Sequence, residues 1–150
     1  MFKNLIACWV VLAGLLGQQS TPPPADSSPT QPPSLNYEFF RDKVEPVFLA
    51  HRPGHARCVA CHSRASNKAP LRLVPLSPAS TTWTEEQSRQ NFENVKAVVV
   101  PGKPDQSPLL FHPLAEKAGG DFFHGGGKHF DSKDNPEWQV MKAWVLGQTE

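Results

Sequence analysis

Cys58 and Cys61 stand two residues apart with His62 directly after the second, in the run Cys58-Val59-Ala60-Cys61-His62. The 150-residue chain holds only one further cysteine, Cys8. Two thiols at this spacing can reach the two vinyl groups of a haem while the backbone that follows aims an imidazole at the iron. The motif therefore predicts covalent attachment of one haem c, with Cys58 and Cys61 as thioether residues and His62 as proximal iron ligand. Two other chemistries use paired cysteines. A thioredoxin-like dithiol wants a preceding strand and a βαβ setting, which the sequence does not show. Structural zinc needs four ligands, usually from a second Cys/His pair at matching spacing, and only scattered histidines remain to supply it.

The other axial position needs a second donor. The methionines are Met1, lost or remote, and Met141, which falls inside the last helical segment, where a methionine fills apolar packing. Histidine is the substitute, and His51, His55, His112, His124 and His129 are available. His124 opens the run His124-Gly125-Gly126-Gly127-Lys128-His129, whose glycines let backbone approach a flat macrocycle closely. His124 is read as the distal ligand, with His129 and then His112 as alternatives; an exposed loop whose histidines merely titrate is the plainer reading. His51 and His55 read as surface residues or as neighbours of the ligands. Arg57 and Arg72 are either partners for haem propionates or exposed loop arginines, the commoner case.

The elements that must hold these residues are helical. Tyr37, Phe40, Val44, Val47 and Phe48 recur at helical spacing over Asn36 to about Leu49, with Pro46 expected to bend or end the helix early. Thr84-Glu85-Glu86-Gln87 is a capping box opening a helix to about Lys96. Pro101-Gly102-Lys103-Pro104 makes a turn. The last helix has Asn135 as N-cap, Pro136 as first residue and Gly147 just past its end, with Val140, Met141, Trp144 and Val145 as buried stripe. Trp138 and Trp144 read as core aromatics. Strand signals are nearly absent, so the expected fold is mainly α, with long loops that repay their entropy by wrapping a bound group.

Composition sets the remaining bounds. Lys+Arg 15 against Asp+Glu 14 leaves a formal charge of +1, which gives no field for nucleic acid. Residues 1–20, with Lys3 and the apolar run Leu5 to Leu16, read as a secretory signal peptide or an N-terminal membrane anchor. Leu5-Ile6-Ala7-Cys8 resembles a lipoprotein cleavage box but leaves too short a segment before the cut. Residues 21–34 hold six prolines among Ser, Thr and Gln and form a linker. Residues 35–150 are the single mono-haem domain. Export places the chain in the periplasm or another extracytoplasmic compartment, and no acid/base pair, phosphate loop or nucleophile triad supports a hydrolase.

Beyond these motifs, Tyr37 to Gly147 resembles the small c-type cytochrome domains of the planctomycete type. The resemblance rests on Phe39-Phe40-Arg41-Asp42-Lys43-Val44-Glu45-Pro46-Val47-Phe48 before the haem motif and Leu71-Arg72-Leu73 after it. Val100 to Leu110 and the closing Trp144-Val145-Leu146-Gly147 complete it. It implies a cytochrome c-like fold and single-electron transfer rather than enzymatic turnover. Many members of such families place a methionine in the loop before the last helix. This chain has His124 there, and related domains with a histidine followed by glycines look like variants in which it replaces methionine. The expected partners are redox proteins or a membrane redox complex. The rival reading is a haem peroxidase or gas sensor with an open sixth position.

Overall fold

The computed structural model describes residues 31–66 and 68–150. The expected signal or anchor segment and linker residues 21–30 lie outside the described residues. Among those described, the elements are α1 (Tyr37–Phe39), α2 (Glu45–Leu49), α3 (Cys58–His62), α4 (Glu85–Lys96), α5 (Pro108–Phe111) and α6 (Pro136–Val145), with short 3-10 turns at Pro104–Gln106 and Glu116–Ala118. The mainly α expectation is met, with no strand among the described residues; β pairing is limited to isolated bridges joining Arg52 to His55 and Leu114 to Phe130. No helix among these residues is long and apolar enough to cross a membrane.

Asn36 caps α1, its Oδ1 accepting the Phe39 N–H at 2.7 Å. Pro46 does not end this helix, which continues to Leu49. The reason lies in the preceding turn. Phe40–Val44 widens into a π-helical turn whose end is marked by the Glu45 N–H bonding to the Phe40 carbonyl, five residues back. The wider turn makes room for a proline ring that has no N–H to give.

The long helices then lock together through aromatic side chains. Phe40 and Trp144 are fully buried with ring centroids 5.1 Å apart, and Phe92 of α4 lies 5.4 Å from the first and 6.0 Å from the second. Each buried indole has its N–H satisfied: Trp144 donates to the Asn36 carbonyl at 2.8 Å and Trp138 to the Leu110 carbonyl at 3.1 Å. Large rings with satisfied polar ends fix α6 against the first helix and α5. Within α6 the buried stripe is Trp138, Met141, Trp144 and Val145; Val140, expected there, is half-buried on the flank.

Both sequence-read caps are formed. Thr84 and Gln87 exchange side-chain bonds with each other's backbone N–H, and Asn135 Oδ1 accepts from Glu137 and Trp138 at 2.9 and 3.3 Å. Gly147 follows α6 with φ +84°, and a Cβ there would come within 2.6 Å of the Pro33 Cβ. It thus serves both the left-handed turn and the close passage of the linker's last residues.

The long connections are pinned rather than loose. Between α3 and α4, the Leu73 N–H bonds the His62 carbonyl at 3.1 Å. The next residue, Val74, gives its N–H to Asn91 Oδ1 and its carbonyl to the Trp83 indole, both at 2.8 Å. Between α5 and α6, the Ala115 N–H bonds Phe130 O and the His129 N–H bonds Pro113 O, both at 2.8 Å. Lys128 Nζ ties the same loop to the carbonyls of His112 and Asp121.

Candidate functional site

In α3 the three motif residues fall on one turn. Positions i, i+3 and i+4 of a helix share a face, and Cys58, Cys61 and His62 all line one cavity, while Val59 points into the core at 4% exposure. The helix is preceded by Arg57 in extended conformation and ends where Ser63 bonds back to Val59 O through both N–H and Oγ. Cys58 and Cys61 are not joined by a disulfide.

The cavity holds about 490 Å³ and is walled mainly by apolar side chains, including Phe48, Leu71, Val98, Leu109, Phe130 and Met141. Met141 is therefore both core, at 2% exposure, and part of the cavity wall. His62 and His124 reach the cavity from different loops and elements, with ring centroids 6.1 Å apart and planes within 19° of parallel. Each ring is held by a backbone carbonyl: His62 Nδ1 bonds Leu71 O at 3.1 Å, and His124 Nδ1 bonds Gly127 O at 2.6 Å. A carbonyl only accepts, so Nδ1 carries a proton in both rings, and in the neutral tautomer this leaves the lone pair on Nε2. This is the arrangement in which imidazoles serve as metal ligands, oriented from behind by an N–H to an acceptor.

The separation can be tested against a metal between the rings. With about 2 Å from metal to each nitrogen and roughly 1.1 Å from nitrogen to ring centre, two opposed imidazoles place their centroids about 6 Å apart. The His62 and His124 rings, stacked with their planes 19° apart, have a centroid spacing of 6.1 Å. Burial keeps the His62 imidazole below its ordinary pKa, with the Leu71 carbonyl working against that shift. A lowered value keeps the lone pair free at neutral pH. Burial likewise pushes the Cys58 thiol up, and the Arg52 guanidinium beside it opposes that rise.

The glycine run builds the His124 side. A tight turn returns the Gly127 N–H to the His124 carbonyl at 2.8 Å, and Gly127 sits at φ +83°, where a side chain would be strained and its Cβ would press on His55 Nδ1 at 3.3 Å.

The alternatives to His124 separate by their partners. His129 lines the cavity 5.8 Å from His124, but its Nδ1 is buried without a hydrogen-bond partner and its ring packs on His55 at 4.8 Å. Burial first, and then the nearby Arg52 guanidinium, lower its pKa to about 4. His112 reaches the cavity but has its Nδ1 2.6 Å from the Asp121 carboxylate. His51 is exposed, as expected. Arg57 is exposed at the cavity mouth, and Arg72 bonds the Arg64 carbonyl at 3.1 Å.

Two residues that carry the site went unnoticed in the sequence. Arg52, on the turn before α3, is held by Glu137 of α6 at 2.6 Å, by Val47 O at 3.0 Å, and over the Phe130 ring at 5.2 Å. Asn91 ties the Leu71–Leu76 segment to α4. Neither has a local signature, since each works through a partner far along the chain.

Among the described residues no group of three or more His, Cys, Asp or Glu converges to hold a metal ion. A dithiol of thioredoxin type lacks its strand there as well. No protein-family model, curated protein or solved structure matches the chain.

Proposed function

We propose that this chain is an exported c-type cytochrome with a cytochrome c-like fold of the planctomycete type. It carries one haem, joined to Cys58 and Cys61 and ligated by His62 and His124, and it transfers single electrons. The observation that carries this reading is the His62–His124 pair: near-parallel imidazoles 6.1 Å apart over a Cys-X-X-Cys-His turn, each braced at Nδ1 by a carbonyl. Bound haem would supply an iron that cycles between ferrous and ferric states.

The chain's own part is to hold both imidazoles in fixed orientation through their Nδ1 partners and to surround the group with apolar wall so that little rearranges as charge changes. With histidine on both sides the reduction potential is expected below that of a His/Met site, since an axial methionine raises it.

The test is intact mass and visible spectrum of the chain produced with export and haem-attachment machinery. One haem mass that survives denaturation and a low-spin six-coordinate spectrum are expected; absence of the added mass overturns the proposal. His124→Ala is expected to give a high-spin form that binds carbon monoxide rapidly, whereas His129→Ala stays low-spin. The reverse pattern moves the ligand to His129, and rapid carbon monoxide binding by the unmutated protein favours an open-site enzyme or sensor.

A further inference from the structure

Among the described residues Glu45 is the only buried carboxyl, and no cation pairs with it there. Two neutral donors hold it instead, Ser88 Oγ at 2.7 Å on one oxygen and Asn91 Nδ2 at 3.3 Å on the other, and both are themselves buried. A buried charge is costly without a counter-charge, so a carboxyl with only neutral partners stands close to taking up a proton. The partners suit both forms. A serine hydroxyl donates and accepts. It donates to the carboxylate and, with its hydrogen turned away, accepts from the protonated acid, while the other oxygen keeps its bond from Asn91.

Two links join this carboxyl to the cavity. Along α2, Val47 and Phe48 follow it closely and form part of the cavity wall. Across the core, Asn91 Oδ1 accepts the Val74 N–H at 2.8 Å. The same segment braces His62, the Leu71 carbonyl accepting from its ring and the Leu73 N–H bonding its carbonyl, both at 3.1 Å. A charge in the cavity and a charge at Glu45 thus share one apolar interior, where they act on each other far more strongly than in water.

The charged groups around Glu45 hold their state across neutral pH. Arg41 of the first helix and Glu85 of α4 act on it from exposed positions, paired with each other and with Asp42 and Arg89. At Glu85 the pull of burial is outweighed by the Tyr37 hydroxyl and the Arg89 guanidinium, which hold it below the ordinary carboxylate range. From α6, Glu137 is bound by Arg52 and Lys142 lies over the Trp138 ring; in the Leu71–Leu76 segment, Arg72 is bonded to the Arg64 carbonyl.

Resting on the haem reading above, we infer that Glu45 is a redox-linked proton site: as one electron enters the proposed haem, the Glu45 carboxylate takes one proton from solvent, and it returns that proton when the electron leaves. The pair adds no net charge to the core. Burial already pushes the Glu45 pKa up, against the Ser88 and Asn91 hydrogen bonds, and an added negative charge nearby pushes it further.

The haem-loaded full chain, verified by mass, is titrated electrochemically at a series of pH values. One unit charge acting across an interior of effective ε about 20 is expected to change the Glu45 dissociation constant about tenfold. The potential then falls by about 59 mV in total as pH rises between the Glu45 pKa with oxidised iron and the higher one with reduced iron, and is level on either side. Glu45→Gln, neutral at every pH, should lose this fall and stay near the acid plateau of the unmutated chain. Ser88→Ala removes a donor to the ionised form and should move the fall to higher pH.

A second measurement reads the proton itself. Within that pH window, reduced-minus-oxidised infrared spectra of the unmutated chain should gain a carboxylic acid band and lose carboxylate bands, and Glu45→Gln should do neither. An equal potential fall in Glu45→Gln, or an acid band that this variant keeps, overturns the inference and places the proton on another acid. Absence of the haem mass sinks the parent proposal instead, and is read before either measurement.

Discussion

Glu45 shows how one residue can look unremarkable in sequence and be committed in the fold. It sits at 5% exposure where the first helix leaves its π-helical turn, with Ser88 Oγ donating to one carboxylate oxygen at 2.7 Å and Asn91 Nδ2 to the other at 3.3 Å. Burial pushes its pKa up; the two hydrogen bonds pull against that shift, the Glu85 charge adds to it and the Arg41 charge opposes it. A carboxyl with a raised folded pKa stabilises fully below its unfolded value of about 4.3, and the contribution is lost as pH rises through the folded value. Glutamine at this position can still accept from Asn91 and offers its own N–H to the Ser88 oxygen. Glu45→Gln is therefore expected to be at least as stable as the unmutated chain at pH 7, with the difference closing toward pH 4. Urea unfolding at both pH values checks it, and a variant weaker by more than about 1 kcal/mol at pH 7 would contradict the account.

Asn91 links this carboxylate to the ligand side of the cavity. Its amide donates to Glu45 while its Oδ1 takes the Val74 N–H, and three residues before Val74 the Leu71 carbonyl braces His62. Asn91→Ala leaves the Val74 N–H and a carboxylate oxygen without partners in a fully buried place, so a loss of roughly 2–3 kcal/mol is expected. Because the freed segment also orients an imidazole, the haem-loaded variant should show altered low-spin electron resonance signals, which a purely structural loss would leave unchanged. Elements like α4 and α6 were legible in the sequence because a capping box, a proline at the first position and a terminal glycine all act within a few residues. The Cys58–His62 turn was legible for the same reason. Glu45 with Asn91, 46 positions apart, and Arg52 with Glu137, 85 apart, were not: before folding, a lone charged residue on an amphipathic helix or turn looks like any surface residue. Pro46, read as a bend or a stop, is not a stop, because the turn before it opens into a π-helical turn. The sequence favoured His124 over His129 by its place at the head of the glycine run; the Gly127 carbonyl behind His124 and the partnerless Nδ1 of His129 are what the fold adds.

The cavity is walled from Val47 at one end of the sequence to Met141 at the other, so its contents touch the segments that make up the core. Size decides how much this matters. At roughly 24 cal/mol per Å³ for a sealed apolar void, the 490 Å³ cavity would cost on the order of 10 kcal/mol if left empty. Water entering at the mouth lowers that figure, yet it is comparable with the roughly 5–15 kcal/mol that holds a whole domain together. With the proposed haem in place, the group would become part of the core and the long pinned loops would recover ordering entropy by packing on it. Cys58→Ser/Cys61→Ser, prepared free of haem by its visible spectrum, is expected to keep much of its helical circular dichroism while losing the sharp thermal transition and binding a hydrophobic dye. Loss of two thiols alone would lower the melting temperature by a few degrees and leave the transition cooperative. A sharp transition close to that of the loaded protein would mean that the helices close without an occupant, and that the cavity is a surface cleft rather than an unfinished core.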